Sequence, residues 1–288
     1  MNIIWMLLAG LCLSSVGVLV KLGAGQFTSM EMVFYRCTIG LVFLSAIMWL
    51  RGHKVRCTNL RRHLSRGLSG VAAMSLFFHA LTVLPLATAT TLNYTSPLFL
   101  ALLSIFWLKE KALPAQVVML CMGFLGVVML LGPTISRGQL PDALLGLTSG
   151  CLAGVAIMNV RALGRAGEPA WNVVFYFSLI SSVVSAAWVL LHEMHRLTPG
   201  NFWIVLGIGI LSTLGQLCLT KAFQAGQTLV TGVFNYSTLI FASFFGIILW
   251  GENLSLIAWC GMAVLIASGV MMVWFSGRPM SRQVAAGG

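Results

Sequence analysis

Charged side chains are scarce in this sequence, and acidic ones are the scarcest. Asp, Glu, Lys and Arg make up 8% of the 288 residues, and only six residues are acidic. A soluble domain of this length carries about 25% charged residues, because its surface has to face water. The chain is therefore predicted to be an integral membrane protein.

The residue groups that metal and catalytic sites need are also missing. The seven cysteines have no ligand spacing, and six of them lie in apolar runs, so they are interpreted as apolar packing residues. His192, Glu193 and His195 lie close together, but two histidines without a clear third ligand seldom hold a metal. No hydrolase or metalloprotease motif occurs. The sequence predicts neither an enzyme nor a bound metal or cofactor.

Long apolar runs make up most of the chain, which is 59% hydrophobic. A helix of about 20 residues crosses a hydrocarbon core about 30 Å thick. The runs do not alternate apolar and polar residues as the strands of a membrane barrel do, and the first run is too long for a cleaved signal peptide. They predict an all-α integral membrane fold with ten transmembrane helices and short connections. The predicted spans are 2–21, 28–50, 67–84, 87–108, 114–132, 142–162, 170–190, 201–221, 227–250 and 255–275.

Basic residues indicate which side of the membrane each loop faces. With the N-terminus inside, 13 of the 17 Lys and Arg residues fall in predicted inner loops and three in outer loops, while Arg36 lies inside a span. Inner loops of membrane proteins are enriched in Lys and Arg, so both termini are predicted to be cytoplasmic. The same bias explains the net charge of +11 without a nucleic-acid partner. The basic segment 51–66 is interpreted as an amphipathic stretch that faces lipid headgroups rather than as a binding site.

The second half of the sequence echoes the first. LNYTSPLFLALLSIFWLKEK (92–111) resembles FNYSTLIFASFFGIILWGEN (234–253), and each has Asn-Tyr near its start and a Glu seventeen positions after the Asn. The echo divides the chain into residues 1–140 and 141–288, with five predicted spans each. Because five is odd, the halves are inverted relative to each other around a central cavity, a design typical of secondary transporters. Gene duplication without transport is the alternative.

Several short motifs resemble those of one family. The motif VFYR ends at Arg36 in span two, Pro-Leu-Ala occupies 85–87, Leu-Lys-Glu 108–110, and Trp-Gly-Glu-Asn 250–253. With the five-plus-five layout, these motifs resemble the EamA branch of the drug/metabolite transporter superfamily over essentially the whole chain. The resemblance implies ten helices around a central cavity lined mainly by spans 1, 3, 4, 6, 8 and 9. It also implies a bacterial inner-membrane protein that moves amino acids, nucleotide-like metabolites or other small solutes, usually outward.

The two Asn-Tyr pairs contain candidate substrate contacts. Asn93 and Asn235 each lie about seven residues, or roughly 10 Å, below opposite membrane surfaces, so both flank the midplane where a carrier holds its substrate. Pro97 offers no N–H to the Asn93 carbonyl, so a helix kink there would free a backbone acceptor. The alternative is a hydrogen bond that only holds helices together. The substrate-binding candidates from these segments are Asn93, Tyr94, Ser96, Asn235 and Tyr236.

Other polar residues within the spans are also candidates. His79 lies among aromatic residues of span three and is interpreted either as a carboxylate or proton site or as a structural donor. Gln216 and Asn159 are further substrate-binding candidates. Glu31 and Arg36 lie near the outer end of span two, five residues apart, which is poor spacing for an ion pair within one helix. Arg36 is interpreted as a structural anchor, with contact to a substrate carboxylate as the alternative.

This set of residues defines the functional expectation. Amides and a free carbonyl suit a neutral or zwitterionic solute, so amino acids are favoured over phosphorylated sugars, which need more than one cavity Arg or Lys. No acidic residue lies in the middle of a span, which favours weakly coupled or uncoupled transport. Multidrug efflux is the second transport hypothesis, and a lipid-scrambling or structural role is the non-transport one. The expected partners are a small-molecule substrate and the lipid bilayer, with a homodimer left open.

Overall fold

The structure is a computed structural model that describes residues 2–52, 55, 57, 59–107, 114–134, 137–192, 194–225 and 237–276. These residues form eleven α-helices and a short 3₁₀ turn at Arg137–Gln139, and no strand occurs among them. The helices are α1 (Asn2–Gly23), α2 (Ser29–Leu50), α3 (Leu60–Val83), α4 (Leu86–Asn93), α5 (Ser96–Trp107), α6 (Pro114–Thr134), α7 (Leu140–Arg165), α8 (Ala170–Val189), α9 (Pro199–Ala225), α10 (Ser237–Trp250) and α11 (Leu256–Ser276).

The helices have the length and surface of a membrane bundle. Six of them are long and apolar enough to cross a bilayer, and three shorter apolar helical stretches accompany them. Large apolar side chains point outward, such as Trp49 and Val42 on α2, which are 81% and 64% exposed. In water such a surface would be unstable, whereas lipid tails accept it. The protein is therefore an all-helical, multi-pass membrane protein. The six long apolar segments are Ile4–Gly23, Ser29–Leu50, Leu60–Val83, Leu140–Arg165, Ala170–Val189 and Pro199–Ala222.

Two predicted span boundaries differ from the structure. Helix α3 begins at Leu60, seven residues before the predicted start at 67, because Asn59 caps it by accepting a hydrogen bond from the Arg62 N–H. The predicted span 87–108 is not one helix: α4 ends at Asn93 and α5 begins at Ser96. Proline lacks the N–H that would continue the helical ladder and disfavours helical geometry in the residue before it, so Pro97 accounts for the break.

Glycines let α7 pack closely against this break. A Cβ atom on Gly150 would lie 2.7 Å from the Leu92 carbonyl oxygen and 3.2 Å from that of Asn93. A Cβ atom on Gly154 would lie 3.0 Å from the Ser96 carbonyl oxygen. The carbonyl that Pro97 frees therefore faces the backbone of α7. Helix α7 thus packs close to this carbonyl, and the hypothesis that the carbonyl meets a substrate amine stays a prediction.

The long helices pack in pairs around a shared interior. Extensive contacts join α3 to α7, α1 to α9, α2 to α8 and α6 to α11, while α4 touches α7 and α10. We call the end of the bundle that contains Lys21, Val83 and Glu252 the Glu252 end. We call the opposite end, which contains His63 and Glu168, the His63 end. Helix α3 runs from the His63 end to the Glu252 end.

Candidate functional site

A cavity of about 150 Å³ lies inside the bundle. Its wall includes Ser14, Ala73 and Ala153, each near the middle of its helix, so the cavity lies at about half the height of the bundle. Most of the lining comes from α1, α3, α4, α7 and α9. These helices correspond to the predicted spans 1, 3, 4, 6 and 8, which the family resemblance implies as lining of the cavity. Other helices add Arg36 of α2, Ser96 of α5, Phe177 of α8 and Thr238 of α10. The volume far exceeds the roughly 10–15 Å³ that one water needs, so the cavity has room for a small solute.

The cavity wall combines apolar and polar surfaces. Met74, Phe77 and Phe78 of α3 form much of the apolar part, together with Phe177. The polar part consists mainly of hydroxyl and amide groups. A wall with a few polar groups among aromatic and apolar ones is typical of sites that bind small organic molecules. The neutral polar residues are Ser14, Thr90, Asn93, Tyr94, Ser96, Gln216, Thr220 and Thr238.

Two arginines also line the cavity, and both are 7% exposed. Arg36 contacts the sulfur of Met74 through Nη1, and its guanidinium carbon lies 5.5 Å from the centre of the Phe78 ring. The guanidinium carbon of Arg66 lies 4.1 Å from the centre of the Phe177 ring. Arg66 Nη2 is 3.5 Å from Gln216 Oε1, while Arg66 Nε has no hydrogen-bond partner among the residues that the structure describes. The cavity is therefore positively charged on one part of its wall.

No carboxylate pairs with either arginine among the residues that the structure describes. Each acidic residue in those ranges contacts a different His or Lys side chain. A guanidinium keeps its charge even when it is buried, so the two arginines place positive charge at the middle of the bundle. The partners of the acidic residues are His195 for Glu31, His79 for Asp142, His63 for Glu168 and Lys21 for Glu252.

The positions of these arginines correct two expectations. The segment 51–66 is predicted to face lipid headgroups, yet Arg66 belongs to α3 and faces the cavity on the same side as Gly70, Ala73 and Phe77. Gly70 leaves the space for its guanidinium, because a Cβ atom there would collide with Arg66 Nη1. Arg36 of span two also lines the cavity, although the family resemblance implies a wall formed mainly by other spans. The expectation of a site without fixed charge fails for the same reason.

The first Asn-Tyr pair lies at the cavity. Asn93 lines it and donates a hydrogen bond from Nδ2 to Ser149 Oγ on α7 at 3.0 Å. The side chain is thus both an interhelical contact and part of the cavity wall. Tyr94 is buried and hydrogen-bonds Thr238 of α10, while Ser96 is buried at the start of α5. Both line the cavity beside Asn93, so the break between α4 and α5 brings three of the candidates together.

The remaining candidates are dispersed. Gln216 lines the cavity, whereas the Asn159 Nδ2 group donates to Ser65 Oγ at 3.0 Å and joins α7 to α3 outside it. His79 is not among the lining residues. Its Nε2 lies 2.8 Å from Asp142 Oδ1, so the carboxylate partner that sequence reasoning did not find comes from the first turn of α7.

Glu31 has a capping role at the start of α2. It forms a capping box with Thr28, and its carboxylate also accepts a hydrogen bond from the His195 N–H. Asn235 and Tyr236, the second Asn-Tyr pair, lie outside the described residues. Glu193 does as well. No group of three metal-ligating side chains occurs in the described ranges.

A polar network joins three segments at the Glu252 end. The Glu252 carboxylate pairs with Lys21 of α1 and accepts hydrogen bonds from the Leu86 N–H at 2.8 Å and the Ala87 N–H at 3.4 Å. Helix α4 has no side-chain cap of its own at Pro85, so Glu252 caps it. A carboxylate at a helix N-terminus is stabilised by the helix dipole. Sequence analysis found the Trp-Gly-Glu-Asn motif but not these partners.

A second network lies at the His63 end. His63 Nε2 is 3.3 Å from Glu168 Oε1, and Asn172 donates to the other carboxylate oxygen. The side chains of His63 and Glu168 are 0% and 2% exposed. Nearby, Arg62 donates to the Ala162 carbonyl oxygen at 3.2 Å. These contacts fix the start of α3 to the turn between α7 and α8.

A helical membrane bundle with a polar cavity at its centre belongs to the class of membrane carriers. The chain belongs to the EamA-like transporter family, which matches residues 1–132 and again residues 141–275. Secondary transport of a small molecule is the general activity that this membership supports. The family resemblance inferred from the sequence is thereby confirmed.

Several bacterial transporters are similar to this protein over nearly its whole length. The pseudopaline exporter CntI of Pseudomonas aeruginosa is 29% identical over 266 residues, covering 92% of this chain and 91% of that protein. The S-adenosylmethionine uptake transporter of Rickettsia felis is 24% identical over 283 residues, covering 97% and 94%. An uncharacterized transporter of Helicobacter pylori is 28% identical over 277 residues. One crystal structure matches with a TM-score of 0.70 at 21% identity, covers 97% of this chain and 99% of its own, and shows the fold.

Proposed function

We propose that the protein moves an amino-acid-like metabolite across the bacterial inner membrane by alternating access, in the outward direction. The observation that carries the proposal is the central cavity, which combines cations, amides and hydroxyls with aromatic walls. Guanidinium groups suit a carboxylate, hydroxyl oxygens suit an ammonium, and the aromatic wall suits an organic side chain. The named relatives include both an exporter and an uptake transporter, so the direction rests on the family resemblance.

The proposed architecture consists of two inverted repeats, residues 1–140 and 141–288, with ten transmembrane helices in total. The separate family matches to residues 1–132 and 141–275 support it. The packing supports it too. If α1, α2, α3 and α6 correspond to α7, α8, α9 and α11, then exchanging the halves turns the α3–α7 pair into the α9–α1 pair, which is also observed. The excess of Lys and Arg in the predicted inner loops supports a cytoplasmic position for the His63 end and for both termini.

The cavity arginines disfavour the multidrug alternative. A carrier of cationic drugs attracts its substrate with an acidic residue, whereas the described cavity wall has two cations and no carboxylate. Like charges in a site of low dielectric constant repel strongly. A purely structural membrane protein would not need a cavity of this size with buried charge. Both alternatives therefore have less support than transport of a metabolite with acidic groups.

Replacing Asn93 by Ala is expected to weaken saturable transport. The change removes a cavity amide and the hydrogen bond to Ser149, each of which contributes about 0.5–1.5 kcal/mol, so the apparent affinity should fall about threefold to tenfold. The assay is uptake of labelled amino acids, nucleosides, sugars and a cationic dye into proteoliposomes. Asn159→Ala is the matched control, because Asn159 makes a similar interhelical bond away from the cavity.

Three results of this assay contradict the proposal. Transport of dye instead of metabolites would discard the substrate, and no flux of any solute would discard the carrier. Equal losses in both Asn variants would make Asn93 a helix contact only. Asn235→Ala belongs in the same series, because the sequence repeat pairs Asn235 with Asn93.

Coupling to protons is proposed to be weak or absent. His79 and Asp142 form a titratable pair between two helices that line the cavity, α3 and α7, but neither residue is itself part of the lining. An imposed pH gradient across the same proteoliposomes is expected to change the initial rate by less than about twofold. Strong stimulation that His79→Ala abolishes would show that the pair carries a coupled proton.

A further inference from the structure

The two cavity arginines carry charge that the described part of the protein does not balance. Arg36 and Arg66 are both buried, line one cavity and are close enough to interact electrostatically. The described carboxylates all pair with His or Lys residues at other places. Burying an unpaired charge is costly, and two like charges that face one cavity add to that cost. Such an arrangement favours a ligand that brings the missing negative charge.

Each guanidinium is held on an aromatic ring and has N–H groups to spare. Arg36 lies over Phe78, and Arg66 lies over Phe177. Arginine has five N–H donors, and stacking on a ring leaves the edge of the guanidinium plane open for a two-point contact with a carboxylate. Arg66 uses Nη2 in a long contact with Gln216, and no acceptor in the described part of the chain lies within hydrogen-bond distance of its buried Nε. The donors are thus placed before any ligand arrives.

We propose that the cavity selects a substrate with two carboxylate groups, one for Arg36 and one for Arg66. The inference rests on the proposed transport function and names the substrate class of that same cavity. Met74 and Phe77 provide an apolar surface for the carbon skeleton between the carboxylates. Asn93 Oδ1, which has no bonded donor among the described residues, and the Thr90 and Thr220 hydroxyls are acceptors for an amine on the substrate.

Two carboxylates fit this geometry better than one phosphate group. The arginines come from different helices, α2 and α3, and stack on rings of α3 and α8, so each has its own platform. A phosphate group carries its charged oxygens around a single phosphorus atom and would draw both guanidiniums toward one point. Carboxylates at two positions of one molecule neutralise the two cations separately.

The test compares dicarboxylates with their own amides. The full-length protein, purified in detergent, is titrated with L-aspartate, L-glutamate and N-benzoyl-L-glutamate, and in parallel with asparagine, glutamine and N-benzoyl-L-glutamine. The readout is the shift of the thermal unfolding midpoint, from which a Kd follows. Each amide lacks one of the two carboxylates and therefore one hydrogen-bonded charge pair with an arginine. At least one dicarboxylate should consequently bind about tenfold to hundredfold more tightly than its amide.

Variants assign the preference to the two arginines. Arg36→Met and Arg66→Met are each expected to reduce the preference for a dicarboxylate over its amide to less than about threefold. Arg66→Lys keeps the positive charge but lacks the planar guanidinium that binds a carboxylate at two points, so it should retain part of the preference. Arg165→Gln removes a positive charge from an exposed position and should leave the preference unchanged. Equal Kd values for every dicarboxylate and its amide, or a preference that survives in Arg66→Met, would overturn the inference. So would tighter binding of O-phosphoserine than of any dicarboxylate.

A stability measurement without ligand separates recognition from a structural role. If Arg66 is an unbalanced cation that awaits substrate, Arg66→Met should unfold at or above the wild-type temperature, because an apolar side chain replaces an unpaired buried charge. A fall of several degrees would make Arg66 a structural anchor and would also overturn the inference. The proposed function fails separately, by the absence of flux for every solute in proteoliposomes. Flux of neutral amino acids without a dicarboxylate preference would leave transport standing and remove only the substrate class.

Discussion

Glu252→Ala is expected to raise, on the order of a hundredfold or more, the rate at which a thiol reagent reaches the cavity from the Glu252 end. The Glu252 carboxylate pairs with Lys21 and accepts from the N–H groups of Leu86 and Ala87, and its side chain is 10% exposed. It therefore ties α1, the start of α4 and the turn after α10 together. Removing one partner of a largely buried pair costs about 3–5 kcal/mol, because the other partner is left uncompensated.

A cysteine in the cavity wall reports this change. Ala153 of α7 lines the cavity and is half-buried, so Ala153→Cys in a background without the seven native cysteines gives a single reactive site. A membrane-impermeant thiol reagent is added to vesicles from the side of the Glu252 end. Lys21→Met should produce a smaller increase than Glu252→Ala, because the carboxylate keeps its two amide donors. Labelling that is unchanged in Glu252→Ala, or raised equally by Asp142→Asn at the same end, would contradict the role of the network.

Glu168→Ala is expected to produce the largest loss of stability. It removes the carboxylate that contacts His63 Nε2 and accepts a hydrogen bond from Asn172, and both of these residues are fully buried. Breaking such a pair costs about 3–5 kcal/mol, and for a chain of this size the thermal midpoint should fall by about 6–15 °C. The measurement is thermal unfolding of the purified protein in detergent.

Two neighbouring variants act as controls for Glu168. Glu168→Gln keeps one acceptor oxygen for His63 or Asn172 and should lose less. Arg165→Gln, three residues earlier and exposed, should stay within about 1 °C of the wild type, as is usual for surface changes of less than about 0.5 kcal/mol. A midpoint of Glu168→Ala within 2 °C of the wild type would show that the pair does not hold the His63 end together.

Most of the fold follows from features that are local in the sequence. Apolar runs of about twenty residues dictate helices in lipid, and Pro97 marks the place where the helical ladder is interrupted between Asn93 and Ser96. The glycines at 150 and 154 signal close packing, and the structure shows α4 and α5 against them. The first Asn-Tyr pair also lies at the cavity, because a polar group in a membrane helix has to face the interior.

The charged part of the site could not be read from the same local patterns. Arg66 ends a basic segment that matches the positive-inside rule, so the sequence pattern assigns it to an inner loop and does not indicate its position at the cavity. The spacing of Arg66, Gly70, Ala73 and Phe77 along one helical face was the signal that could have revealed it. Long-range pairs such as Glu252 with Lys21 and Asp142 with His79 depend on how helices meet, which no single segment encodes.

The central claim is that the cavity is a substrate site reached in turn from both faces of the membrane. The most direct test is labelling of the single cysteine in Ala153→Cys by an impermeant thiol reagent, applied to one face of the vesicles and then, in a separate sample, to the other. Measurable labelling is expected from each face, and the dicarboxylate that binds most tightly should slow the labelling at both faces. Labelling from one face only, or labelling that no bound solute slows, would contradict alternating access around this cavity.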